Sequence, residues 1–248
     1  MSTYSKACCT IPPVVTESYE PKGKYIELDG LKTYVTGPSD ADTAILLLYD
    51  IFGFFPQTLQ GADILAFSDK DHPKQVFIPD FWDGKPADID WYPPDTEEKQ
   101  QKLTSWFPNA SPPKHLPRVP GLLDAAEKTN PKIKSWGTIG YCWGGKMVSL
   151  IGGRDTRFKA GVQTSPAMLD IADAEKVKIP MLVLPSKDES LAEFEKYRDA
   201  LKVPNRLEYF GNQVHGWMSA RGDLKDPEVK KDYERGYQLA ADFFAQYL

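Results

Sequence analysis

The stretch Ser135-Trp136-Gly137-Thr138-Ile139-Gly140-Tyr141-Cys142-Trp143-Gly144-Gly145-Lys146-Met147-Val148 constrains the fold more than any other part of the chain. A β-prone run passes through Gly-x-Cys-x-Gly-Gly directly into a helix-compatible segment. That layout predicts a nucleophile elbow, a strand-to-helix turn sharp enough to lift one reactive side chain above a sheet. Gly140 and Gly144 flank the cysteine where the turn leaves no room for a Cβ, and Gly145 lets the helix sit close to neighbouring strands. The helix N-terminus supplies unpaired N–H groups and a positive dipole end, both of which favour a thiolate. The competing reading is a Gly-rich turn around a buried, inert cysteine.

The pattern on either side decides between them. Residues 24–28 and 31–35 read as two short strands joined by the turn Asp29-Gly30. The apolar run 44–49 has the character of a strand buried on both faces. A helix over 57–68, with Leu59, Ala62, Leu65 and Ala66 at helical spacing, precedes a strand at 75–79. A helix ending at 129 leads to the elbow strand, 133–139, and its helix through 151. Strands over 159–164, within 178–185 and over 206–210 follow, with helices at 193–201 and 228–247. This alternation predicts an α/β fold with a mostly parallel, doubly wound sheet in one domain spanning 1–248. Ligands in such sheets bind at the carboxyl ends of the strands. Asp50, Asp80, Cys142, Asp188 and His215 all fall there. Residues 84–117 are irregular and proline-rich, with Trp91, Tyr92, Trp106 and Phe107 among them. We expect one helix over 96–107 and a packed cover over the catalytic face, since so long a connection in a compact domain is functional or disordered.

Composition removes several classes of function. A net charge of −5 with no basic cluster argues against nucleic acid or an anionic membrane as partner. No apolar run approaches the roughly 18 residues of a membrane span, and the N-terminus lacks the apolar core of a signal peptide. Three cysteines make no disulfide framework, so a cytoplasmic location is expected, with Cys8 and Cys9 as ordinary thiols. No His or Cys cluster offers a metal site.

A cysteine nucleophile needs a base and a carboxylate to orient that base. The chain has three histidines. His72 lies in a polar loop at the wrong end of the sheet, and His115, beside Lys114, reads most simply as a surface residue. His215, in a Gly-bounded loop after the last strand, is the expected base. The orienting acid should follow the strand between elbow and histidine, which points to Asp188. Asp173 and Glu175 precede that strand. The order Cys142, Asp188, His215 is that of an α/β-hydrolase. The oxyanion hole of that fold would use the N–H of Trp143 and, from the loop after the early buried strand, that of Ile51.

Gly140-Tyr141-Cys142-Trp143-Gly144-Gly145, Asp50-Ile51-Phe52-Gly53, Pro79-Asp80-Phe81 and His215-Gly216 together resemble the dienelactone hydrolase family. Cys8-Cys9 and the stretch from Lys32 to Pro38 resemble its fungal branch. The resemblance implies an α/β-hydrolase sheet of about eight strands, no metal or cofactor, and hydrolysis of lactones or esters through an acyl-thioester on Cys142. Bacterial members carry a glutamate that holds the resting cysteine, where this chain has Asp50. They also grip a substrate carboxylate with two arginines. This chain has Phe81 and Trp82 where the first would lie, and Arg221 stands where the second could. Phe54, Phe81, Trp82, Trp143 and Trp217 suggest an aromatic-lined pocket for small aromatic or unsaturated esters, with core packing the competing reading for each. A thioesterase or polyketide-intermediate hydrolase is the alternative within the same chemistry, and a binder or thiol redox sensor the alternative outside it. A monomer and a homodimer are equally compatible with the sequence.

Overall fold

A computed structural model describes residues 14–248; Cys8 and Cys9 lie outside the described residues. Eight strands form one sheet: β1 (Lys24–Leu28), β2 (Leu31–Thr36), β3 (Thr43–Leu48), β4 (Gln75–Pro79), β5 (Ser135–Tyr141), β6 (Phe158–Thr164), β7 (Met181–Leu184) and β8 (Asn205–Leu207). Their order across the sheet is β1-β2-β4-β3-β5-β6-β7-β8. β2 runs antiparallel to both of its neighbours, and every pairing from β4 through β8 is parallel. All residues of β3, β4 and β7 are buried, as the predominantly apolar strands of a sheet covered on both faces are. The last strand is shorter than the expected 206–210, although Phe210 still bridges Ser186.

The helices are α1 (Pro56–Phe67), α2 (Glu97–Trp106), α3 (Pro112–His115), α4 (Arg118–Thr129), α5 (Trp143–Ile151), α6 (Ile171–Ala174), α7 (Leu191–Ala200) and α8 (Pro227–Tyr247). α1 begins with proline at its first turn and is buried from Thr58 to Ala66. It lies against α8, whose own buried stripe runs through Tyr233, Tyr237, Ala240 and Phe244. Asp226 starts α8 by accepting the N–H groups of Glu228 and Val229. α5 packs onto β3, β5 and β6, so the elbow sits over the middle of the sheet.

Residues 84–117 fold into short elements: 3-10 turns at Ile89–Trp91 and Phe107–Ala110, with α2 and α3. The expected helix over 96–107 forms as α2, capped by Thr96 Oγ1 accepting from the Lys99 N–H at 3.3 Å. Indole N–H groups anchor the segment: Trp106 Nε1 donates to the Lys85 carbonyl at 3.0 Å, and Trp143 Nε1 to that of Ala110 at 2.7 Å. The Ala87 N–H donates to the Ile51 carbonyl at 2.9 Å. Apolar rings with polar edges therefore hold a chain too rich in proline for regular structure.

Candidate active site

β5 delivers Cys142 into a turn with φ 53° and ψ −111° immediately before α5. The left-handed φ is rare for a non-glycine residue. Its neighbours make the turn feasible. A Cβ on Gly140 would come within 2.1 Å of the Gly144 carbonyl oxygen, and one on Gly144 within 1.9 Å of the Leu48 oxygen. The Cys142 N–H donates to the Thr164 carbonyl at 3.1 Å, and the Cys142 carbonyl accepts from Gly145 and Ala167 at 3.0 and 2.9 Å. The strained backbone is thus held on both sides while the side chain stays partly exposed.

The loop after β8 brings the His215 ring close enough to Cys142 for that side chain to act on its charge. The ring nitrogen Nδ1 lies 2.6 Å from Glu189 Oε1. Burial works against the charged imidazole, but the charge and hydrogen bond of Cys142, and those of Glu189, outweigh it and raise its pKa from 6.5 to about 11. A cation therefore faces the sulfur at neutral pH.

The carboxylate on the imidazole is not the one expected. Asp188 lies beside His215 but accepts its backbone N–H, at 2.8 Å from Oδ2. The physical reason is the turn after β7. The Asp188 N–H donates to Ser186 Oγ at 3.3 Å and the Glu189 N–H to the Ser186 carbonyl at 3.3 Å. This directs the shorter Asp188 arm to the backbone and the longer Glu189 arm to the ring. Glu189 Oε2 also accepts the Ser186 N–H at 2.5 Å, so both of its oxygens are engaged. Asp173 is an ion-pair partner of Lys146, 2.5 Å away, and has no part in this site.

The remaining expected residues separate into those near the site and those in the core. Trp143 is the first residue of α5, so its N–H has no acceptor within the helix. Ile51 lies in the buried loop after β3. Asp50 is buried and does not hold the cysteine. Its Oδ1 accepts the Phe52 N–H at 2.8 Å, and its Oδ2 the Ser219 hydroxyl at 2.6 Å and the Ala220 N–H at 3.3 Å. Burial raises its pKa, against these hydrogen bonds and the His215 charge. Arg221 donates from Nη1 to the His215 carbonyl at 2.7 Å, and its guanidinium lies 4.3 Å over the Tyr92 ring.

Trp217 is fully buried against Phe210, with ring centroids 4.3 Å apart, and belongs to the core rather than to a pocket wall. Phe54 packs edge-on between Tyr25 and Tyr49. Phe81 and Trp82 are also buried, both against Trp143. His115 completes that cluster: it is 2% exposed, ringed by Phe81, Trp82 and Trp143, and its Nε2 is 2.6 Å from the Asn109 carbonyl oxygen. It is therefore not the surface residue its neighbour Lys114 implied. His72 is exposed in the loop before β4, as expected. Among the described residues, no group of His, Cys, Asp and Glu side chains is arranged to hold a metal ion. No helix among them is long and apolar enough to cross a membrane.

The model of the dienelactone hydrolase family matches residues 31–248. The chain belongs to the dienelactone hydrolase family. A fungal relative, an AIM2 family protein of Schizosaccharomyces pombe, is 36% identical over 236 residues, 92% of each chain. A carboxymethylenebutenolidase homolog of Homo sapiens is 25% identical over 236 residues, 91% of each chain. Among solved structures, a dienelactone hydrolase from Anabaena variabilis superposes with a TM-score of 0.67 at 18% identity, over 92% of this chain and 99% of that one. This family member thus shares the hydrolase sheet, and its elbow and histidine loop occupy the carboxyl ends of the strands.

Proposed function

We propose that this dienelactone hydrolase family protein hydrolyses ester or lactone bonds of small, uncharged aromatic or unsaturated substrates through an acyl-thioester on Cys142. The observation that carries the reading is the continuous line Glu189–His215–Cys142 at a strained strand-to-helix turn. The His215 cation and the α5 N-terminus favour the thiolate, which attacks the carbonyl carbon. The N–H groups of Trp143 and Ile51 receive the developing oxyanion. As the tetrahedral intermediate collapses, the C–O bond breaks and His215 Nε2 gives its proton to the leaving alkoxide. The sulfur is now a neutral thioester, so the charge that supported the imidazolium is gone and His215 is left as a base. It takes a proton from water, the hydroxide adds to the acyl carbon, and collapse expels the thiolate while returning the cation–thiolate pair. Glu189 keeps the proton on Nδ1 throughout.

The preference for uncharged substrates rests on what surrounds this line. Arg221 is occupied by the His215 carbonyl and the Tyr92 face, and Phe81 and Trp82 offer no cation. An acidic substrate would leave its carboxylate weakly paired, so uncharged esters are favoured. Saturation kinetics on aryl esters, thioesters and small neutral or anionic lactones, wild type against Cys142→Ala, test the reading. Saturable turnover that vanishes in Cys142→Ala is the expected result. Undiminished turnover in that variant would overturn it. Preference for thioesters would redirect the substrate class, and slow, non-saturating release would leave only a reactive thiol.

A further inference from the structure

Three loops at the carboxyl end of the sheet meet at one buried acid. Asp50 lies after β3, and its backbone carbonyl accepts Trp82 Nε1, from the loop after β4, at 3.1 Å. Its Oδ1 holds its own loop through the Phe52 N–H at 2.8 Å. Its Oδ2 reaches the histidine loop, where the Ser219 hydroxyl donates at 2.6 Å and the Ala220 N–H at 3.3 Å. Asp50 and Ser219 are respectively 2% and 0% exposed, so water does not compete for these bonds. The loop is pinned from below as well. The Tyr237 hydroxyl, itself paired with that of Tyr141, donates to the Met218 carbonyl at 3.0 Å.

Ser219 has a second acceptor, the Gly216 carbonyl at 3.2 Å. A hydroxyl has one proton, so it serves either the carboxylate of another loop or the carbonyl of its own turn. The contact to Asp50, at 2.6 Å against 3.2 Å, is the stronger and prevails. Without the Ser219 hydroxyl, only the longer Ala220 N–H contact at 3.3 Å still joins the histidine loop to this carboxylate.

We propose that Asp50 and Ser219 are a positioning pair that fixes His215, four residues before Ser219, relative to the Ile51 amide, one residue after Asp50. Base and oxyanion donor stand on different loops, and this bond sets their separation. The inference rests on the hydrolase reading for the roles of those two groups. The charged groups facing Asp50 are few: the His215 cation favours its ionised form, while the Tyr141 and Tyr237 hydroxyls sit close enough to sense its charge.

The test uses the full chain with Ser219→Ala and Asp50→Asn, the latter keeping an oxygen acceptor without charge. Two readouts are taken beside thermal unfolding: steady-state kinetics, and the pH profile of Cys142 alkylation by iodoacetamide. Ser219→Ala is expected to lower kcat by about 10- to 100-fold with KM changed by less than about threefold, since small misplacements of catalytic groups act on kcat. Alkylation near neutral pH should slow about tenfold and its profile move to higher pH, as His215 drifts from the sulfur. A merely structural serine would lower the unfolding temperature and leave the alkylation profile unmoved, and that result would overturn the proposal. If Ser219→Ala does not fold, Asp50→Asn decides by the same readouts. Turnover surviving in Cys142→Ala would sink the hydrolase reading alone, because alkylation still reports the geometry of His215 and Cys142.

Discussion

Glu189→Gln is the substitution that separates the geometry of this site from the arrangement its sequence implies. Glu189 Oε1 is 2.6 Å from His215 Nδ1, and the glutamate side chain is 10% exposed. Taking charge centres about 4 Å apart in an effective dielectric of about 20, the attraction is about 4 kcal/mol. At about 1.4 kcal/mol per tenfold that corresponds to about three orders of magnitude in rate. Glutamine retains an oxygen that can accept from Nδ1, so the expected loss in kcat/KM is about 10²- to 10³-fold. The amide must also turn its NH2 donor toward either the Ser186 N–H or the ring Nδ1–H. This conflict of donors should remove about 1–3 kcal/mol of stability. Asp188→Asn should behave differently. It accepts a backbone N–H, which an asparagine oxygen does equally, and gives up only a 4.0 Å ion pair with Arg221, so kcat/KM should fall less than about fivefold. Both variants would be purified, checked by thermal unfolding and assayed on the same aryl ester. A thousandfold loss in Asp188→Asn with a near-normal Glu189→Gln would refute the argument, because it would make Asp188 the ring's partner during turnover.

Other consequences are as direct. The His215 pKa is raised above 6.5, so the stability its cation contributes is complete below about 6.5 and is lost as the pH climbs toward about 11. Thermal unfolding followed across that range should decline less in Cys142→Ala, which lacks one source of the shift. Gly144→Ala should fail to fold or lose all activity, because its Cβ would fall 1.9 Å from the Leu48 carbonyl oxygen, an overlap backbone cannot relieve. Trp82→Ala removes a buried ring from the cluster with Trp106, His115 and Trp143, and denaturant unfolding should report a loss of about 3–5 kcal/mol. Arg221→Lys keeps a charge but not the planar stack on Tyr92. Its kcat should fall by about threefold to tenfold, and by the same factor on neutral and anionic esters; selective loss on anionic esters would instead make Arg221 a carboxylate receptor.

The sheet was readable because its strands carry their burial in their composition: β7 is apolar throughout, and β3 and β4 are apolar after their first residues, Thr43 and Gln75. The elbow was readable because Gly140 and Gly144 have almost no other use at that spacing. Chemical type led to Cys142 and His215, since three histidines leave few choices. The failures share a cause. Asp188 and Glu189 are adjacent acids after the same strand, and which one reaches the ring depends on how Ser186 turns the chain, a tertiary fact. His115 looked exposed because Lys114 is polar, yet the aromatics that bury it come from Phe81, Trp82 and Trp143, far along the chain. Trp217 sat beside the histidine in sequence, but the turn after Gly216 points it inward onto Phe210.

Trp143 faces two ways. Its backbone N–H opens α5 beside the nucleophile, while its indole N–H fastens the Ala110 carbonyl of the proline-rich segment. The proline-rich segment is therefore bolted to the residue whose N–H would receive the substrate's oxygen. A loop free to swing could be traded for another without touching the rate of bond cleavage. Here an insertion or deletion near Ala110 must pull on residue 143, and with it on the reaction itself. Diversification of substrate range in this lineage should consequently proceed through substitutions that leave the length of this segment unchanged.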